Sequence, residues 1–349
     1  MASNSITTAI LGQLVAWGDD TAHQVQAAPK AAQFMKVAPG GSKQGLALHS
    51  NGRLHLWGGF NLGTPTMPIV PDLALDPGEK YIDLAIGVSF AAAIRGSDRS
   101  IQTWGGFAVP VNGSRDSTPP SDAEGRRFSA VTVGGGHGVA IEEGGGLYQW
   151  GAGKGTEPRP GGYKFLEVRS RSSYNLALDE YGDIYGWGSG LFAPPAPPIP
   201  PGSIPATLPA AHPLTGTDWT YMPAGYYLHK GPFKAIAAGG PQKTLVPEIG
   251  HVLALRPNGT VAGWGANTFG ETLAPEGVTF VAIAAGIGFS LGLDDQGMLH
   301  HWGNPGATAA NGKGVLQNVP TGPFVSVGAA GSHGAAVRPY SAHRSGGDR

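Results

Sequence analysis

Residues 165–189 read FLEVRSRSSYNLALDEYGDIYGWGS, and this stretch decides the fold of the chain. It begins with an alternating apolar segment, passes a small-residue turn and continues into the short apolar run Leu176–Leu178. A Tyr-Gly turn and a second alternating segment follow, ending at Trp187-Gly188. Alternation with period two around a turn of this kind is typical of a β-hairpin. The stretch therefore predicts a small antiparallel sheet.

The same unit recurs along the chain. Similar stretches begin at Phe34, Tyr81, Phe128, Phe233 and Phe280, and each ends in Trp-Gly. Successive Trp-Gly pairs are 40, 47, 46, 37, 77 and 38 residues apart. We expect each tryptophan ring to pack between neighbouring sheets, while the glycine permits a tight exit turn. The seven structural tryptophans are Trp17, Trp57, Trp104, Trp150, Trp187, Trp264 and Trp302.

The two ends of the chain supply the two halves of one further unit. Residues 324–337, FVSVGAAGSHGAAV, form the first half without a Trp-Gly, and residues 13–18, QLVAWG, form the last half. Pairing them closes a ring and removes exposed strand edges. The sequence thus predicts an all-β fold, a single seven-bladed β-propeller over residues 1–349, with residues 340–349 as a tail. The N-terminal strand is expected to pair with the C-terminal half-repeat.

These residues resemble the repeats of the regulator of chromosome condensation (RCC1-like) family, whose unit runs G-x-x-H-x-x-A-L…D/N-G-x-x-x-x-W-G. The resemblance covers nearly the whole chain outside one insertion. It implies a propeller but no single function. Members of the family act as guanine-nucleotide exchange factors, chromatin binders, a light receptor and a secreted bacterial inhibitor of β-lactamases.

Composition restricts the function. The chain has 23 Lys plus Arg against 24 Asp plus Glu, and charged residues make up 13% of 349 residues. Without a basic excess, nucleic acid is not expected as a partner. A surface so poor in charge favours association with other proteins. Cysteine is absent, so disulfides and thiolate sites are excluded.

No targeting pattern stands out in the sequence. The first twenty residues have no basic start and no long apolar run, so we expect cytoplasmic synthesis without a signal peptide. No segment reaches the ~20 apolar residues of a membrane span. Incorporation into a virion or another particle is compatible with this pattern.

One insertion interrupts the repeat. Residues 191–232 contain eleven prolines and no Trp-Gly, so they are not an eighth blade. Their second half concentrates aromatics, which on an exposed loop are typical of partner-binding sites. The predicted partner-binding residues are Trp219, Tyr221, Tyr226 and Tyr227; the competing interpretation is that they pack onto the propeller as a plug or lid. A second insertion, residues 241–250, is expected in the same blade.

Histidines offer a weak metal hypothesis. One repeat position holds Gln44, Phe90, His137, Tyr174, His251, Phe289 and His333. A position that accepts these types alike serves packing or hydrogen bonding, although His137, His251 and His333 can also be imagined around a central channel. His300 and His301 alternate in a strand and point to opposite faces. We expect no metal and no other cofactor.

Motifs for an enzyme are missing: the sequence has no G-x-S-x-G, Walker loop, H-E-x-x-H or clustered aspartates. The leading hypothesis is a non-catalytic protein–protein interaction propeller in a larger assembly, such as a bacteriophage decoration, collar or fibre protein. The first alternative is a soluble regulatory or inhibitory binder, including a small-GTPase exchange factor. Further alternatives are a carbohydrate-binding propeller that stacks Trp219 on sugars, and an enzyme with an unrecognised pocket.

Overall fold

The structure is a computed structural model. It describes residues 12–20, 23, 25–30, 32–40, 44–58, 78–87, 90–105, 123–151, 160–188, 219–222, 226–240, 250–303, 316 and 318–339. Across these ranges the chain forms antiparallel strands joined by turns, with no α-helix. Accordingly, no helix in these ranges is long and apolar enough to span a membrane. The predicted all-β class is confirmed.

Twenty-three strands are present in the described residues, and they group into seven units that we call blades 1 to 7. Blade 1 consists of β2 (Ala32–Gly40), β3 (Gln44–His49) and β4 (Leu54–Gly58). Blade 2 consists of β5 (Tyr81–Ile86), β6 (Phe90–Arg95) and β7 (Ile101–Gly105). Blade 3 consists of β8 (Phe128–Val133), β9 (His137–Glu142) and β10 (Leu147–Gly151). Blade 4 consists of β11 (Phe165–Arg171), β12 (Tyr174–Asp179), β13 (Ile184–Gly188), β14 (Thr220–Met222) and β15 (Tyr226–His229). Blades 5 to 7 consist of β16 (Ala235–Ala238), β17 (His251–Leu255) and β18 (Val261–Gly265); β19 (Phe280–Ala285), β20 (Phe289–Asp294) and β21 (Leu299–Gly303); and β22 (Ser326–Ala329), β23 (His333–Pro339) and β1 (Gly12–Gly18).

The second strand of each blade is buried on both faces. All six residues of β12, for example, are buried, and so are the five residues of β17. These strands are sandwiched between neighbouring blades, so they read as continuous apolar runs rather than as an alternating pattern. This explains the recurrent Leu-Ala-Leu run of the repeat.

The blades follow one another around a ring. The first strands contact each other in the cyclic order β2, β5, β8, β11, β16, β19, β22 and back to β2. One apolar cluster fills each of the seven spaces between neighbouring blades. The termini meet in blade 7, where β1 pairs with β23 from Gly12↔Pro339 to Gly18↔His333. The N-terminal strand thus pairs with the C-terminal half-repeat, as the sequence predicts.

Each Trp-Gly tryptophan belongs to the cluster that its blade shares with the preceding blade. Trp187 of blade 4, for example, packs with Val139 and Ile141 of blade 3 and is fully buried. The following glycine has a φ of 92° to 103° in six blades, a left-handed conformation that L side chains rarely adopt. The six glycines are Gly18, Gly58, Gly151, Gly188, Gly265 and Gly303.

In the described residues, β1 of blade 7 also pairs with β2 of blade 1, so these two blades share one six-stranded sheet. Blade 4 has five strands of its own, and the remaining four blades are three-stranded sheets. The blade-4 sheet has the order β11-β12-β13-β15-β14, so β14 and β15 extend it outward. We call residues 219–229 the blade-4 hairpin. The insertion and residues 241–250 were expected in one blade, and this expectation is wrong. The hairpin belongs to blade 4, whereas residues 241–250, of which only Gly250 is described, lead into β17 of blade 5.

Candidate functional site

The structure buries three of the four aromatics predicted to bind a partner. Trp219, Tyr226 and Tyr227 are 6%, 6% and 4% exposed, while Tyr221 is 37% exposed. The expectation of an exposed aromatic loop is therefore wrong for three of them. Their packing also differs from a plug or lid, because two of them lie in a strand that pairs with β13. The partner-binding role assigned to the four residues stays a prediction.

Strand alternation explains the burial. Tyr226 points into the groove that faces blade 3 and joins the cluster that contains Val139 and Ile141. Within its own blade, its ring lies 5.7 Å from Tyr185 and its hydroxyl 3.2 Å from that of Tyr163. Tyr227 and Trp219 point toward blade 5, and the Trp219 ring lies 5.6 Å from Trp264. Successive residues of a strand face opposite sides. The hairpin thus fills the outer part of two grooves at once.

The same packing bears on the carbohydrate alternative. A tryptophan that stacks on a sugar needs an exposed ring face. The Trp219 ring instead contacts His229 at 5.3 Å and Trp264 at 5.6 Å, both edge-on. Its surroundings are those of a core residue.

In four blades the histidine repeat position forms a hydrogen bond to the next blade. His137 Nε2 lies 2.7 Å from Asn175 Oδ1 of blade 4, and His251 Nε2 lies 3.0 Å from Ser290 Oγ of blade 6. Gln44 donates to Gly87 O at 3.2 Å, and Tyr174 donates to Gly239 O at 2.6 Å. These side chains serve in different interfaces between blades. Within the described residues, no three His, Asp or Glu side chains gather as metal ligands would.

Burial keeps these histidines uncharged. It lowers the pKa of His251 to about 3, and the nearby positive charge of Arg171 acts in the same direction. Burial also lowers the pKa of His137, against the opposing effect of the Asn175 hydrogen bond. Neutral imidazoles at these positions act as hydrogen-bonding spacers between blades.

The first strands of five blades share a β-bulge at the residue that follows the leading aromatic. In blade 4, Phe165 pairs with Asp179 and Glu167 with Leu178, so Leu166 has no partner in the ladder. A bulge leaves one residue unpaired and redirects its side chain. We call the five bulged residues the bulge ring: Met35, Ile82, Ser129, Leu166 and Val281.

The bulge ring is exposed although most of its members are apolar. Met35 and Ile82 are 36% and 37% exposed, and Leu166 and Val281 are 59% and 51% exposed. In the two remaining blades, the corresponding residues are Lys234, which is exposed, and Val325, which is half-buried. Because the first strands line the channel and each bulge lies at the beginning of its strand, these residues lie at one end of the channel.

Other exposed apolar residues lie at the same end of the blades. The leading aromatic pairs with the last residue of the second strand, so the turn that follows is at the level of the bulge. Two such turns carry Tyr181, which is 77% exposed, and Met298, which is 42% exposed. This end of the propeller therefore presents a ring of apolar side chains with further apolar residues around it.

A layer of fixed charges lies next to the ring. Lys36 pairs with Asp83 Oδ1, and Asp83 Oδ2 accepts a hydrogen bond of 2.9 Å from the Val131 amide. In the same way, Glu167 pairs with Arg169 at 2.5 Å and accepts from the Ile236 amide at 3.2 Å. Each carboxylate thus connects its blade to a neighbour. These contacts hold the bulged strands in place.

Comparison with solved structures defines the class of the fold, a β-propeller of the RCC1 type. Prp20p from Saccharomyces cerevisiae is 16% identical, with a TM-score of 0.64 over 96% of this chain and 93% of that chain. Yeast RCC1 (Prp20) bound to Kap60 is 17% identical, with a TM-score of 0.65 over 96% and 90%. Human WBSCR16 is 16% identical, with a TM-score of 0.61 over 88% of each chain. The resemblance predicted from the repeats is confirmed for the fold.

Among these proteins, Prp20p is described with binding properties toward Gsp1p and histones. No protein-family model matches the sequence, and no curated protein does.

Sequence reasoning missed the bulge ring. The signal was the residue after each leading aromatic, which reads Met, Ile, Ser, Leu, Lys, Val and Val in the seven repeats. An alternating pattern places that residue on one face of a regular strand, and the bulge was not foreseen.

Proposed function

We propose that this chain is a non-catalytic propeller that binds a protein partner at the channel mouth, through the bulge ring. The partner presents an apolar side chain or loop, because four of the five bulge-ring residues are apolar and the nearby Lys36, Asp83, Glu167 and Arg169 are already paired. The observation that carries the proposal is the exposure of four large apolar side chains at one repeat position. A partner that covers them gains the free energy of removing apolar surface from water, about 25 cal/mol per Å².

The similar solved structures also favour a protein partner. Prp20p has binding properties toward Gsp1p and histones, and yeast RCC1 binds Kap60. Repeat scaffolds of this kind present binding residues on a rigid ring. Four large apolar residues exposed at one repeat position are more regular than the scattered single residues of an ordinary surface. These points favour protein binding over the glycan alternative, which relied on an exposed Trp219.

The test is a double substitution, Leu166→Asp with Val281→Asp, compared with Leu273→Asp as a matched control. Leu273 is 66% exposed and lies outside the ring, on the connection between β18 and β19. Proteins that co-purify with the wild type are quantified for each variant by mass spectrometry. We expect the same set with Leu273→Asp and at least a tenfold loss with the double variant. Equal recovery by both variants would contradict docking at the ring.

We further propose that this docking builds a larger assembly, in which a bacteriophage decoration, collar or fibre component is the favoured setting. The support is the low charge of the chain, 13% of residues. A soluble regulatory or inhibitory binder is the competing form. It has the same docking site but remains a monomer.

Light scattering over a range of concentrations separates the two forms. An oligomer that the double variant loses supports the assembly role, and a monomer at every concentration supports the soluble binder. Deletion of residues 191–232 is a poor test, because it removes the buried Trp219, Tyr226 and Tyr227 and exposes the grooves that they fill.

A further inference from the structure

Blade 4 breaks the symmetry of the channel wall. Counted from the leading aromatic, the fifth and seventh residues of its first strand are Arg169 and Arg171. The other six blades have small residues there, in order along the chain Ala38, Ala85, Thr132, Ala237, Ala284 and Gly328 at the fifth position, and Gly40, Gly87, Gly134, Gly239, Gly286 and Ala330 at the seventh. Six blades thus have small residues at these two positions, whereas blade 4 has two guanidinium groups.

Both arginines face a cavity in the central channel. Its volume is about 270 Å³, and the first strands of all seven blades line it. The lining is mostly alanine, valine and isoleucine. Three cations, Lys36, Arg169 and Arg171, are its only charged residues in the part of the chain that is described, and no carboxylate lines it.

The three cations differ in their partners. Lys36 pairs with Asp83, and Arg169 pairs with Glu167 at 2.5 Å. Among the described residues, neither a hydrogen bond nor an ion pair engages the Arg171 guanidinium, which is half-buried at the end of β11. Its Nε lies about 3.2 Å from the point where a side chain on Gly240 would begin. As far as the described ranges extend, Arg171 is thus a cation that faces a cavity without a counter-charge.

A guanidinium removed from water raises the free energy of the folded state unless an anion or hydrogen-bond acceptors compensate its charge. Consistently, burial lowers the pKa of the Arg171 guanidinium. A guanidinium presents parallel N–H donors that match the oxygens of phosphate and similar anions. A volume of about 270 Å³ lies just below the range of roughly 300 Å³ upward found for drug-sized ligands, so it suits a small ion.

We propose that the central channel binds a small tetrahedral oxyanion, of the phosphate or sulfate class, with Arg171 as the direct ligand. Arg169 and Lys36 line the same cavity, but Glu167 and Asp83 already pair with them, so Arg171 supplies the charge that the anion would compensate. This site is independent of the bulge ring, which surrounds the channel mouth and carries no charge of its own.

The test is calorimetric titration with inorganic phosphate at constant ionic strength, on the wild type, Arg171→Ala and Arg256→Ala. Alanine occupies the seventh position in blade 7, so Arg171→Ala restores the small-residue pattern. Arg256 lies outside the channel, over the Phe233 ring. We expect saturable binding by the wild type and by Arg256→Ala, and at least tenfold weaker binding by Arg171→Ala.

A second measurement separates binding from folding. Without phosphate, Arg171→Ala is expected to melt at or above the wild-type temperature, because an uncompensated charge is gone. With phosphate, only the wild type and Arg256→Ala gain in melting temperature. No saturable binding by the wild type, or unchanged affinity in Arg171→Ala, would overturn the proposal. Acetate that binds as tightly as phosphate would overturn the tetrahedral assignment.

Discussion

The blade-4 hairpin buries its large apolar side chains, whereas the bulge ring exposes them to solvent. The hairpin belongs to an insertion, yet it buries Trp219, Tyr226 and Tyr227 in grooves between blades. The bulge ring belongs to the repeat itself, yet it exposes residues as large as Leu166. The hydrogen-bond ladder explains the difference. Paired strands direct alternate side chains into neighbouring blades, and an unpaired residue in a bulge is directed to solvent.

Of the substitutions considered, one in the hairpin should cause the largest loss of unfolding free energy. Trp219→Ala removes a ring that is 6% exposed and packed on Trp264, so we expect a loss of about 3 to 5 kcal/mol in unfolding free energy. Tyr221→Ala, on the exposed side of β14, should cost about 1 kcal/mol or less. Urea midpoints of both variants measure this. Equal midpoints for Trp219→Ala and the wild type would show that the hairpin is not docked.

Alkali should destabilise the protein, in part through the hairpin tyrosines. Burial raises the pKa of Tyr226 and of Tyr227 to about 12, with smaller contributions from Tyr163 and Tyr221 respectively. Above the ordinary pKa of about 10, the unfolded chain loses protons that the folded chain keeps, so stability falls as the pH rises from about 10 to 12. We expect a loss on the order of 1 kcal/mol per pH unit for each tyrosine.

Urea unfolding at a series of pH values from 9 to 11 tests this expectation. Tyr227→Phe should reduce the slope, and Tyr181→Phe, on a residue that is 77% exposed, should leave it unchanged. A stability that stays flat over this pH range, or equal slopes for both variants, would contradict the burial of the hairpin tyrosines.

A substitution in the bulge ring should cause the smallest change in stability. Leu166→Ala shortens a side chain that is 59% exposed, so we expect a stability change within about 0.5 kcal/mol. The same substitution at the fully buried Leu176 of β12 should cost about 2 to 5 kcal/mol. Thermal melts of the two variants measure the contrast. A large loss at Leu166 would mean that the ring serves packing and not docking.

The sequence predicts the ring of blades and its joint because the information is local and repeated. Each Trp-Gly marks the end of one blade, and the two half-repeats specify one missing blade between them. The structure confirms this pairing through the register from Gly12↔Pro339 to Gly18↔His333.

The sequence did not predict where the insertion goes. Strands of three and four residues, Thr220–Met222 and Tyr226–His229, are too short for a clear alternating pattern. The pairing of β15 with β13 joins segments about forty residues apart, and it depends on the outer edge of blade 4 and on the two neighbouring grooves. The bulges were missed for a related reason, because a bulge is a property of two paired strands and of neither alone.

The joint in blade 7 makes folding depend on complete synthesis. Gly18 and His333 pair across a separation of 315 residues, and at about 5 to 20 residues per second a ribosome needs roughly 16 to 63 s to make that stretch. Throughout that interval the edge of β1 that later pairs with β23 stays open, although its other edge can pair with β2. Trp17 also lacks the blade-6 residues that later cover it. A chain that stops before β23 therefore keeps an open sheet edge at each end, a form prone to aggregation and proteolysis. A chain that contains β23 can close the ring of blades, and a chain truncated before β23 cannot.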